Sequence, residues 1–435
     1  MKVYYYGKFK IEGNQKIYKN VFDIPNFGSE ITEIEIKNNI TEIKENTFIE
    51  CKSLKKITLP DTITKIGKNA FYNCTSLEEI NLPNSITEIE PKAFQECVSL
   101  KRIKIPEKIT EIKKYLFLNC VSLKEIILPD NIQTIGHDAF TSCTALAKIN
   151  LPNSIISIEK KAFYNCVNLE KITLPDKLRI IEDGTFKDCK KLSKIIMPQS
   201  VFLILGEAFK NCTSLKSIDL PAGLISLGKE SFYGCNSLSK IYIPDKIDQI
   251  KEGTFKDCTA LYDVTLPKGL KSIEYQAFEN CINLCMINLK RNIDIHCFSF
   301  KNCPLLSKET YKIILISCVR NMYNTNDYKV LEKLDIDTSD STFIQELLFE
   351  NPVFYYIANE KDRKIYLDAV LDSINNIDIR TKPIECIVIE TDLCNIVVCE
   401  KTNNYGLYLD NNNFYWIKNK NDIEKIKNIM KNTLA

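Results

Sequence analysis

The fold follows from the stretch AFYNCTSLEEINLPNSITEI at residues 70–89, because nearly the same pattern returns as AFQECVSLKRIKIPEKITEI at residues 93–112 and in further copies along the chain. Phenylalanine precedes the cysteine of this unit by three residues and leucine follows it by three, as in Phe71, Cys74 and Leu77. An isoleucine, a second leucine or isoleucine and usually a proline complete the unit. A regular period of about 23 residues is typical of a stacked solenoid, in which each repeat forms one turn.

The repeat carries twelve of the 18 cysteines of the chain, with the last one residue early: Cys51, Cys74, Cys97, Cys120, Cys143, Cys166, Cys189, Cys212, Cys235, Cys258, Cys281 and Cys303. So many cysteines would usually suggest a disulfide framework, but a long chain without an apparent leader favours reduced, buried thiols. Stacked turns would place successive cysteines about 4.8 Å apart with parallel side chains. We therefore expect an unreactive ladder of thiols.

Twelve frames can be counted between Ile31 and about Leu289. Their strand segments begin at Ile31, Leu54, Leu77, Leu100, Leu123, Leu146, Leu169, Leu192, Leu215, Leu238, Leu261 and Leu284. Apolar alternation after each start predicts a strand, and proline closes it at ten positions, because proline cannot extend a hydrogen-bond ladder. A second apolar pair, such as Ile63 with Ile66, returns the chain to the core. The Ala-Phe segment that follows is expected to form a short helical turn with phenylalanine inward.

The unit at residues 70–89 resembles the BspA-like class of leucine-rich repeat, also described as the Treponema type or the bacterial surface antigen type. The resemblance extends from residue 31 to about residue 303. It implies a right-handed solenoid whose parallel sheet lines one side, and a role in adhesion and protein binding. The expected fold class is therefore an α/β solenoid of leucine-rich repeats with a parallel β-sheet.

Segments outside the period are expected to form a cap and a second domain. In residues 1–30, apolar stretches at 3–6 and 16–18 flank the turn signal Glu12-Gly13-Asn14, which predicts a capping β-hairpin. Residues 31–303 form the solenoid of about twelve repeats. Residues 304–435 are expected to form a small C-terminal α+β domain.

That C-terminal domain is expected to begin with a capping helix at residues 305–320, with Ser307 as its N-cap. Further helices are predicted at 328–335, 340–349 and 352–376, and strands at about 384–390, 393–400, 405–409 and 414–418. A final amphipathic helix would place Ile423, Ile426 and Met430 on one face.

The composition argues against several classes of partner. The formal net charge is +2, so no overall field favours nucleic acid. Every apolar run is interrupted before it could span a membrane, and the first residues lack a secretory signal. These patterns predict a cytoplasmic protein without membrane insertion; the alternative is a cell-surface or secreted protein exported by a leaderless route. The oligomeric state stays open.

Catalytic and metal-binding motifs are scarce. His137 and His296 are the two histidines, and the cysteines near His296 match no paired zinc spacing. Neither a phosphate-binding loop nor a nucleophile elbow is present in the sequence. Cys386, Cys394 and Cys399 fall on predicted strands, so they are interpreted as core residues. We therefore expect no catalytic residues, no cofactor and no metal.

The outward positions of the sheet provide the candidate binding site, because side chains alternate across a strand. Two residues after each opening leucine, charges alternate in sign from Glu33 to Glu125, and the alternation ends at Lys148. Exposed isoleucine and tyrosine lie four residues after leucine in the same region. The candidate face comprises Lys148, Lys171, Lys194, Ile196, Lys240 and Tyr242. The alternative interpretation is that these lysines are solvated surface residues without a partner.

These observations favour a non-enzymatic scaffold that presents an extended leucine-rich repeat surface to a partner protein. Two alternatives remain. One is a surface adhesin exported without an ordinary leader. The other is an effector whose C-terminal domain acts on targets that the repeats recognise.

Overall fold

The computed structural model describes residues 2–5, 32–36, 40–290, 292–307, 310, 313–314, 317, 378–381, 386–390, 395–399, 404–410 and 413–417. The chain divides into two compact units. The first comprises Met1–Asn288 and Phe298–Leu305, and the second comprises Leu289–Cys297 and Leu306–Ala435.

The first unit is a β-solenoid built from short strands. In chain order these are β1 (Lys2–Tyr5), β2 (Glu33–Ile36), β3 (Glu42–Ile43), β4 (Lys56–Thr58), β5 (Lys65–Ile66), β6 (Glu79–Ile80), β7 (Glu88–Ile89), β8 (Arg102–Lys104), β9 (Glu111–Ile112), β10 (Glu125–Ile127), β11 (Thr134–Ile135), β12 (Ser157–Ile158), β13 (Lys171–Thr173), β14 (Ile180–Ile181), β15 (Lys194–Ile196), β16 (Leu203–Ile204), β17 (Ser226–Leu227), β18 (Lys240–Tyr242), β19 (Gln249–Ile250), β20 (Asp263–Thr265), β21 (Ser272–Ile273) and β22 (Met286–Ile287).

Most turns contribute a strand to each of two parallel ladders, the first in three segments and the second in four. The first sheet consists of the strands that follow the opening leucines, such as β4 and β6, and the second sheet consists of the two-residue strands that follow the prolines, such as β5 and β7. Pairing joins equivalent positions of successive repeats, for example Ile172 opposite Ile195 and Ile43 opposite Ile66. The solenoid has about 11 turns, because the twelve strand positions seen in the sequence delimit 11 complete turns.

The first sheet is interrupted twice, which the sequence interpretation missed. It runs β1-β2-β4-β6-β8-β10, then β13-β15, then β18-β20-β22, and the expected strands at 148–150 and 217–219 do not form. Asn150 and Asp219 lie four residues after leucine in those turns, and Asn81 and Asn288 occupy the same position beside the shortened strands β6 and β22. Asparagine and aspartate side chains compete for backbone hydrogen bonds. The Asn288 side chain does so: its Oδ1 accepts a hydrogen bond from the Leu266 N–H at 2.6 Å, and its Nδ2 donates to the Leu266 carbonyl at 3.2 Å.

At ten turns, proline follows the first-sheet segment and starts a tight turn, as predicted. The Pro60 carbonyl accepts a hydrogen bond from the Ile63 N–H at 3.1 Å. The equivalent bond recurs at all ten prolines of the repeat, from Pro60 to Pro267. The turn directs the chain into the second sheet.

The Ala-Phe segment is not the helical turn that the sequence suggested. Asn69 and Asn73 adopt left-handed backbone conformations, with φ of 54° and 58°, and asparagine tolerates this region better than most residues. Between them, the Phe71 N–H donates to the Ala93 carbonyl of the next turn at 2.8 Å, whereas the Tyr72 N–H donates to the Asn69 carbonyl at 3.0 Å. A helix would use every N–H within its own segment. Here every second backbone N–H group instead donates its hydrogen bond to a carbonyl of the next turn.

The core contains a continuous column of phenylalanine rings, as expected. Eleven rings from Phe48 to Phe278 are completely or almost completely buried. Successive rings stack, with centroids 5.3 Å apart for Phe71 and Phe94 and 5.4 Å apart for Phe140 and Phe163. Each ring is therefore part of the contact surface of both adjacent turns.

At the N-terminal end of the solenoid, strand β1 extends the first sheet. It pairs in parallel with β2, with Val3 opposite Ile34. The turn and the second strand of the expected capping hairpin lie outside the described residues.

The second unit contains β23 (Asp294–Ile295) and an antiparallel sheet. In that sheet, β24 (Asp378–Thr381), β25 (Cys386–Glu390), β26 (Asn395–Cys399), β27 (Asn404–Asp410) and β28 (Asn413–Ile417) pair in sequential order. Four of these strands match the predicted segments, whereas β24 was missed because its sequence, DIRT, has one apolar residue. The helices predicted at 328–335, 340–349 and 352–376, and the final one with Ile423, Ile426 and Met430, lie outside the described residues.

Four described residues within the predicted helix at 305–320 have helical backbone. Thr310, Ile313, Ile314 and Ser317 have helical backbone and are buried. The Ser307 hydroxyl accepts the Thr310 N–H at 3.1 Å, which is the hydrogen bond of an N-cap. The Ser317 hydroxyl accepts the Ile295 N–H at 2.7 Å and donates to the Ile293 carbonyl at 3.1 Å, so this helix is bonded to the segment that contains β23.

Replacing Phe163 with alanine is expected to lower the free energy of unfolding by about 3 to 5 kcal/mol, because a cavity would open between two stacked rings. Urea denaturation followed by circular dichroism would measure the change. Tyr242→Ala, at an aromatic side chain that is 57% exposed, is the control and should stay within about 0.5 kcal/mol of the unchanged protein. Equal effects of the two substitutions would contradict the role assigned to the ring column.

Candidate protein-binding face

The candidate face is built on the outward positions of the first sheet. In β15, Lys194 and Ile196 are exposed on either side of Ile195, which is 7% exposed and belongs to the core. This alternation is the ordinary consequence of strand geometry. It leaves Ile196 50% exposed, whereas most isoleucines of the described part of the solenoid are buried.

Strands β13 and β15 bring two of the predicted lysines together. Lys171 lies opposite Lys194 and Thr173 lies opposite Ile196 in the parallel register. Neighbouring strands are about 4.8 Å apart, so the two side chains leave the sheet side by side. Neither ammonium group forms a salt bridge with a carboxylate in the part of the chain that the structure describes. Two adjacent positive charges are thus left without local compensation.

The N-terminal half of the same column is compensated, as the alternating signs predicted. Glu79 lies opposite Arg102 in the strand register, and the Arg102 Nε atom is 3.3 Å from a carboxylate oxygen of Glu125. At the preceding residue of each strand segment, the Lys101 Nζ atom is 2.6 Å from a carboxylate oxygen of Glu78. Exposed pairs of this kind contribute little to stability. They do compensate the outward charges of these turns, between Glu78 and Glu125.

The other predicted residues lie on separate parts of the sheet. Lys148 is exposed but falls in the first interruption, so it is not on a strand beside Lys171. Lys240 and Tyr242 belong to β18, beyond the second interruption. Lys240 also has local partners: its ammonium group lies 5.1 Å from the Tyr262 ring centroid and 3.8 Å from a carboxylate oxygen of Asp263.

These partners stabilise the protonated form of Lys240. Its interaction with the Tyr262 side chain, and secondarily with Asp263, raises the pKa of Lys240 above its ordinary value. Tyr242 is 57% exposed. The structure therefore brings together Lys171, Lys194 and Ile196 and does not place the other three predicted residues on the same sheet segment.

Three further lysines adjoin this segment and were missed in the sequence. Lys190 and Lys191 are exposed immediately before β15, and Lys216 is exposed at the start of the following turn. None forms a salt bridge within the described residues. The run KKLSK at residues 190–194 was the signal that could have identified two of them. We call Lys171, Lys190, Lys191, Lys194 and Lys216, with Ile196, the cationic face.

The buried thiols have a structural role that goes beyond filling space. The repeat cysteines are free and buried, as expected. Each thiol from Cys74 onward donates a hydrogen bond to the carbonyl of the phenylalanine in the preceding turn, as in Cys166 to Phe140 at 3.1 Å. Burial raises the pKa of Cys166 and of Cys235 to about 12. Because the reactive form of cysteine is the thiolate, these residues are unsuited to nucleophilic chemistry.

The side chains of both histidines lie near polar groups of the solenoid or of adjacent residues. His137 is partly buried, with Nδ1 2.9 Å from the Lys160 carbonyl and Nε2 2.8 Å from an Asp138 carboxylate oxygen. His296 Nδ1 is 4.0 Å from the Cys297 sulfur. Among the described residues, no group of three or more histidine, cysteine, aspartate or glutamate side chains could hold a metal ion.

In the same part of the chain, no helix has the length and apolar character needed to cross a membrane.

The repeated turn, with its parallel ladders and buried phenylalanine column, defines a leucine-rich repeat solenoid. The family model described as "BspA type Leucine rich repeat region (6 copies)" matches residues 15–147, 110–238, 181–307 and 225–352. The chain therefore belongs to the BspA-type leucine-rich repeat family, a class of repeat scaffolds that commonly bind proteins.

Solved structures of bacterial leucine-rich repeat proteins are similar to this chain. A leucine-rich repeat protein from Bacteroides ovatus is 27% identical, with 64% of this chain and 84% of that chain covered and a TM-score of 0.53. A leucine-rich cell surface protein from Faecalibacterium prausnitzii is 29% identical, with 66% and 87% covered and a TM-score of 0.45. A comparison with curated proteins gives no match.

The repeat thiols are expected to resist iodoacetamide in the folded protein, because they are buried and protonated. Peptide-resolved mass spectrometry after labelling at pH 8 would measure each site. Cys285, which is exposed, serves as the internal control and should label rapidly. Fast labelling of most repeat cysteines without unfolding would contradict the buried ladder.

Stability is expected to decline as pH rises from 9.0 toward about 12. The unfolded thiols ionise from their ordinary value of 9.0, whereas folded Cys166 keeps its proton until about 12, so folding loses free energy across that window. Cys166→Ala should make the free energy of unfolding less sensitive to pH by about 1.4 kcal/mol per pH unit. Urea denaturation at several pH values would test this, with Cys285→Ala as the control that keeps the original slope.

Proposed function

We propose that the protein is a non-enzymatic binding scaffold, and that its cationic face binds an acidic surface of a partner protein. The observation that carries the proposal is the in-register pair Lys171 and Lys194 beside the exposed Ile196. Like charges on adjacent strands are unfavourable. An arrangement that costs stability in the free protein is readily explained when a partner compensates it.

The contrast between the two halves of the sheet supports this assignment. The first turns pair their charges, as Arg102 does with Glu125, whereas the cationic face concentrates five lysines on three successive turns. Exposed Glu170 and Asp219 are acidic residues of the same turns, and the lysines of the cationic face outnumber them. A concentrated charge raises the rate of encounter with a complementary surface and disfavours partners of the wrong sign.

The exposed isoleucine defines the second feature of the partner. Ile196 offers an apolar side chain among charges, and interfaces combine a desolvated centre with a polar rim. The matching surface would therefore carry several carboxylates around an apolar side chain. Thr173, opposite Ile196, adds a small polar group to the same surface.

A protein partner fits this surface better than a small substrate. The cationic face is formed by outward side chains of strands and turns, and the regular ladder leaves its carbonyl and N–H groups paired within the solenoid. The repeat thiols from Cys74 onward are hydrogen-bonded to the Phe carbonyls of the core, as Cys166 and Cys189 are. The non-enzymatic assignment rests on these features.

Reversing both charges in Lys171→Glu/Lys194→Glu is expected to weaken partner binding at least ~10-fold, because the new carboxylates would repel an acidic surface. Partners captured from a lysate of the source cells on the immobilised full chain would be quantified by mass spectrometry, and the affinity of a captured protein would then be measured. Binding to the unchanged chain should weaken as the salt concentration rises.

The matched control is Lys108→Glu/Lys177→Glu, which changes the net charge equally at exposed residues of the turns after proline. It should retain binding. Capture that is equal for the unchanged chain and for Lys171→Glu/Lys194→Glu would remove the cationic face from the proposal.

A further inference from the structure

The second sheet is divided into segments of three strands. The segments are β3-β5-β7, β9-β11-β12 and β14-β16-β17, and a fourth begins at β19. Within a segment, backbone hydrogen bonds join adjacent turns. The Phe202 N–H donates to the Arg179 carbonyl at 2.9 Å, and the Leu205 N–H donates to the Ile181 carbonyl at 2.8 Å. At the three boundaries between segments, no equivalent bond joins the described residues of the two turns.

Two of these boundaries coincide with the interruptions of the first sheet. The first-sheet segments at 148–150 and 217–219 form no strand, and the second sheet stops after the strand of the same turn, between β12 and β14 and between β17 and β19. We call the boundary between the turns that open at Leu146 and Leu169 the first joint, and the boundary between those that open at Leu215 and Leu238 the second joint. At the remaining boundary, between β7 and β9, the first sheet continues from β6 to β8.

Most of the bonds that remain at the first joint lie on the phenylalanine side of the turn. The Phe163 N–H donates to the Thr185 carbonyl at 3.0 Å, and the Phe163 and Phe186 rings stack with centroids 5.6 Å apart. Next to the first-sheet position, the Glu170 N–H still donates to the Ala147 carbonyl at 3.1 Å. The following pair of turns adds two paired ladders, β13-β15 and β14-β16, to bonds of this kind. Because turns of a solenoid are coupled through the interface they share, the first joint is a weaker interface.

Like charges weaken the first joint further. Glu159 and Glu182 hold the same place in the repeat on its two sides, and Glu182 is partly buried. Burial, and secondarily the carboxylates of Asp183 and Glu159, raises the pKa of Glu182 above its ordinary value, and Lys160 opposes this effect. Carboxylates on both sides of an interface disfavour its closure while they are ionised.

The second joint has polar side-chain bridges beside the second sheet. The Lys229 Nζ atom is 2.9 Å from a carboxylate oxygen of Glu252, and the Lys251 Nζ atom donates to the Ser226 hydroxyl at 3.2 Å. Each of these bonds joins the turn before the joint to the turn after it. Within the described residues, no salt bridge crosses the first joint. The first joint is therefore the weaker of the two.

We infer that the two joints divide the solenoid into three blocks that unfold as separate cooperative units. The first block ends with the turn that opens at Leu146, the middle block comprises residues 169–237, and the third block begins at Leu238. The whole cationic face belongs to the middle block, because its residues fall between Lys171 and Lys216. The face therefore keeps its arrangement when the flanking turns open at a joint. This division holds whether or not a partner binds the face.

The repeat cysteines provide a buried reporter in each turn, so the unchanged full chain can be used. Brief iodoacetamide pulses during a urea titration, followed by peptide mass spectrometry, give an unfolding midpoint for each thiol. The midpoints should fall into three groups, one for each block. The groups are Cys51 to Cys166, then Cys189, Cys212 and Cys235, then Cys258, Cys281 and Cys303.

The step between Cys166 and Cys189 is expected to be about 0.5 M urea or more, and larger than the step between Cys235 and Cys258. The physical reason is that the second joint has the side-chain bridges and the first joint combines its missing ladders with like charges.

Asn150→Thr tests whether the gap in the first sheet causes the weak coupling. Threonine holds the same place in the repeat in β4, β13 and β20, and it favours strands. The substitution should roughly halve the step at the first joint, because one of the two missing ladders returns. Asn81→Thr is the matched control: it makes the same change beside the paired strand β6 and should leave the step unchanged. Circular dichroism checks that both variants are folded.

A single midpoint shared by all repeat thiols would overturn the inference, as would midpoints that drift from one end of the solenoid without a step at either joint. A step that folded Asn150→Thr leaves unchanged would contradict the assignment of the first joint to the missing ladder.

Discussion

The whole solenoid depends on one constraint, which is that each turn must be hydrogen-bonded to the next at a fixed offset of one repeat. Strand spacing sets the distance between turns at about 4.8 Å, and every side-chain column must then stack at that distance. Phenylalanine meets the requirement through parallel rings, as in Phe71 and Phe94 with an interplanar angle of 2°. Cysteine meets it because a small thiol can donate to the carbonyl of the preceding turn without widening the column, as Cys97 does to Phe71 at 3.1 Å.

The same constraint explains why departures from the repeat are informative. A core position cannot vary without disturbing two neighbours, whereas an outward position is free to change. Thr64 and Thr87 occupy one outward column in a way that the ladder itself explains, since their hydroxyls bond to the adjacent turn. The adjacent Lys171 and Lys194 in the first sheet form no salt bridge within the described residues. Surfaces of this kind are best explained by molecules that bind to them.

Much of the fold could be predicted from the sequence because its signals are local and repeated twelve times. The strands, the proline turns and the phenylalanine column all follow from residue type and spacing. The interruptions of the first sheet were predictable in part, since Asn150 and Asp219 are residue types that compete for backbone hydrogen bonds, although Asn81 and Asn288 at the same position only shorten their strands. The left-handed conformations at Asn69 and Asn73 were mistaken for a helical turn, because the spacing of Ala70 and Phe71 fits both geometries and only the bonds to the next turn distinguish them.

The sequence by itself determined the solenoid, its period and the inward residues. The reason is that the apolar residues of a regular repeat can all be buried only when every turn has the same cross-section. Which residues lie together on a binding surface was decided only by the tertiary structure. Lys171 and Lys194 belong to successive repeats, far apart along the chain, and become neighbours through the strand register. Lys148 and Lys240 have the same place in the repeat, yet the interruptions and the Tyr262 contact give them different surroundings. The physical reason is that electrostatic and apolar interactions depend on the distance between side chains in space. The offset of one repeat between turns brings residues that are 23 positions apart in the sequence next to each other.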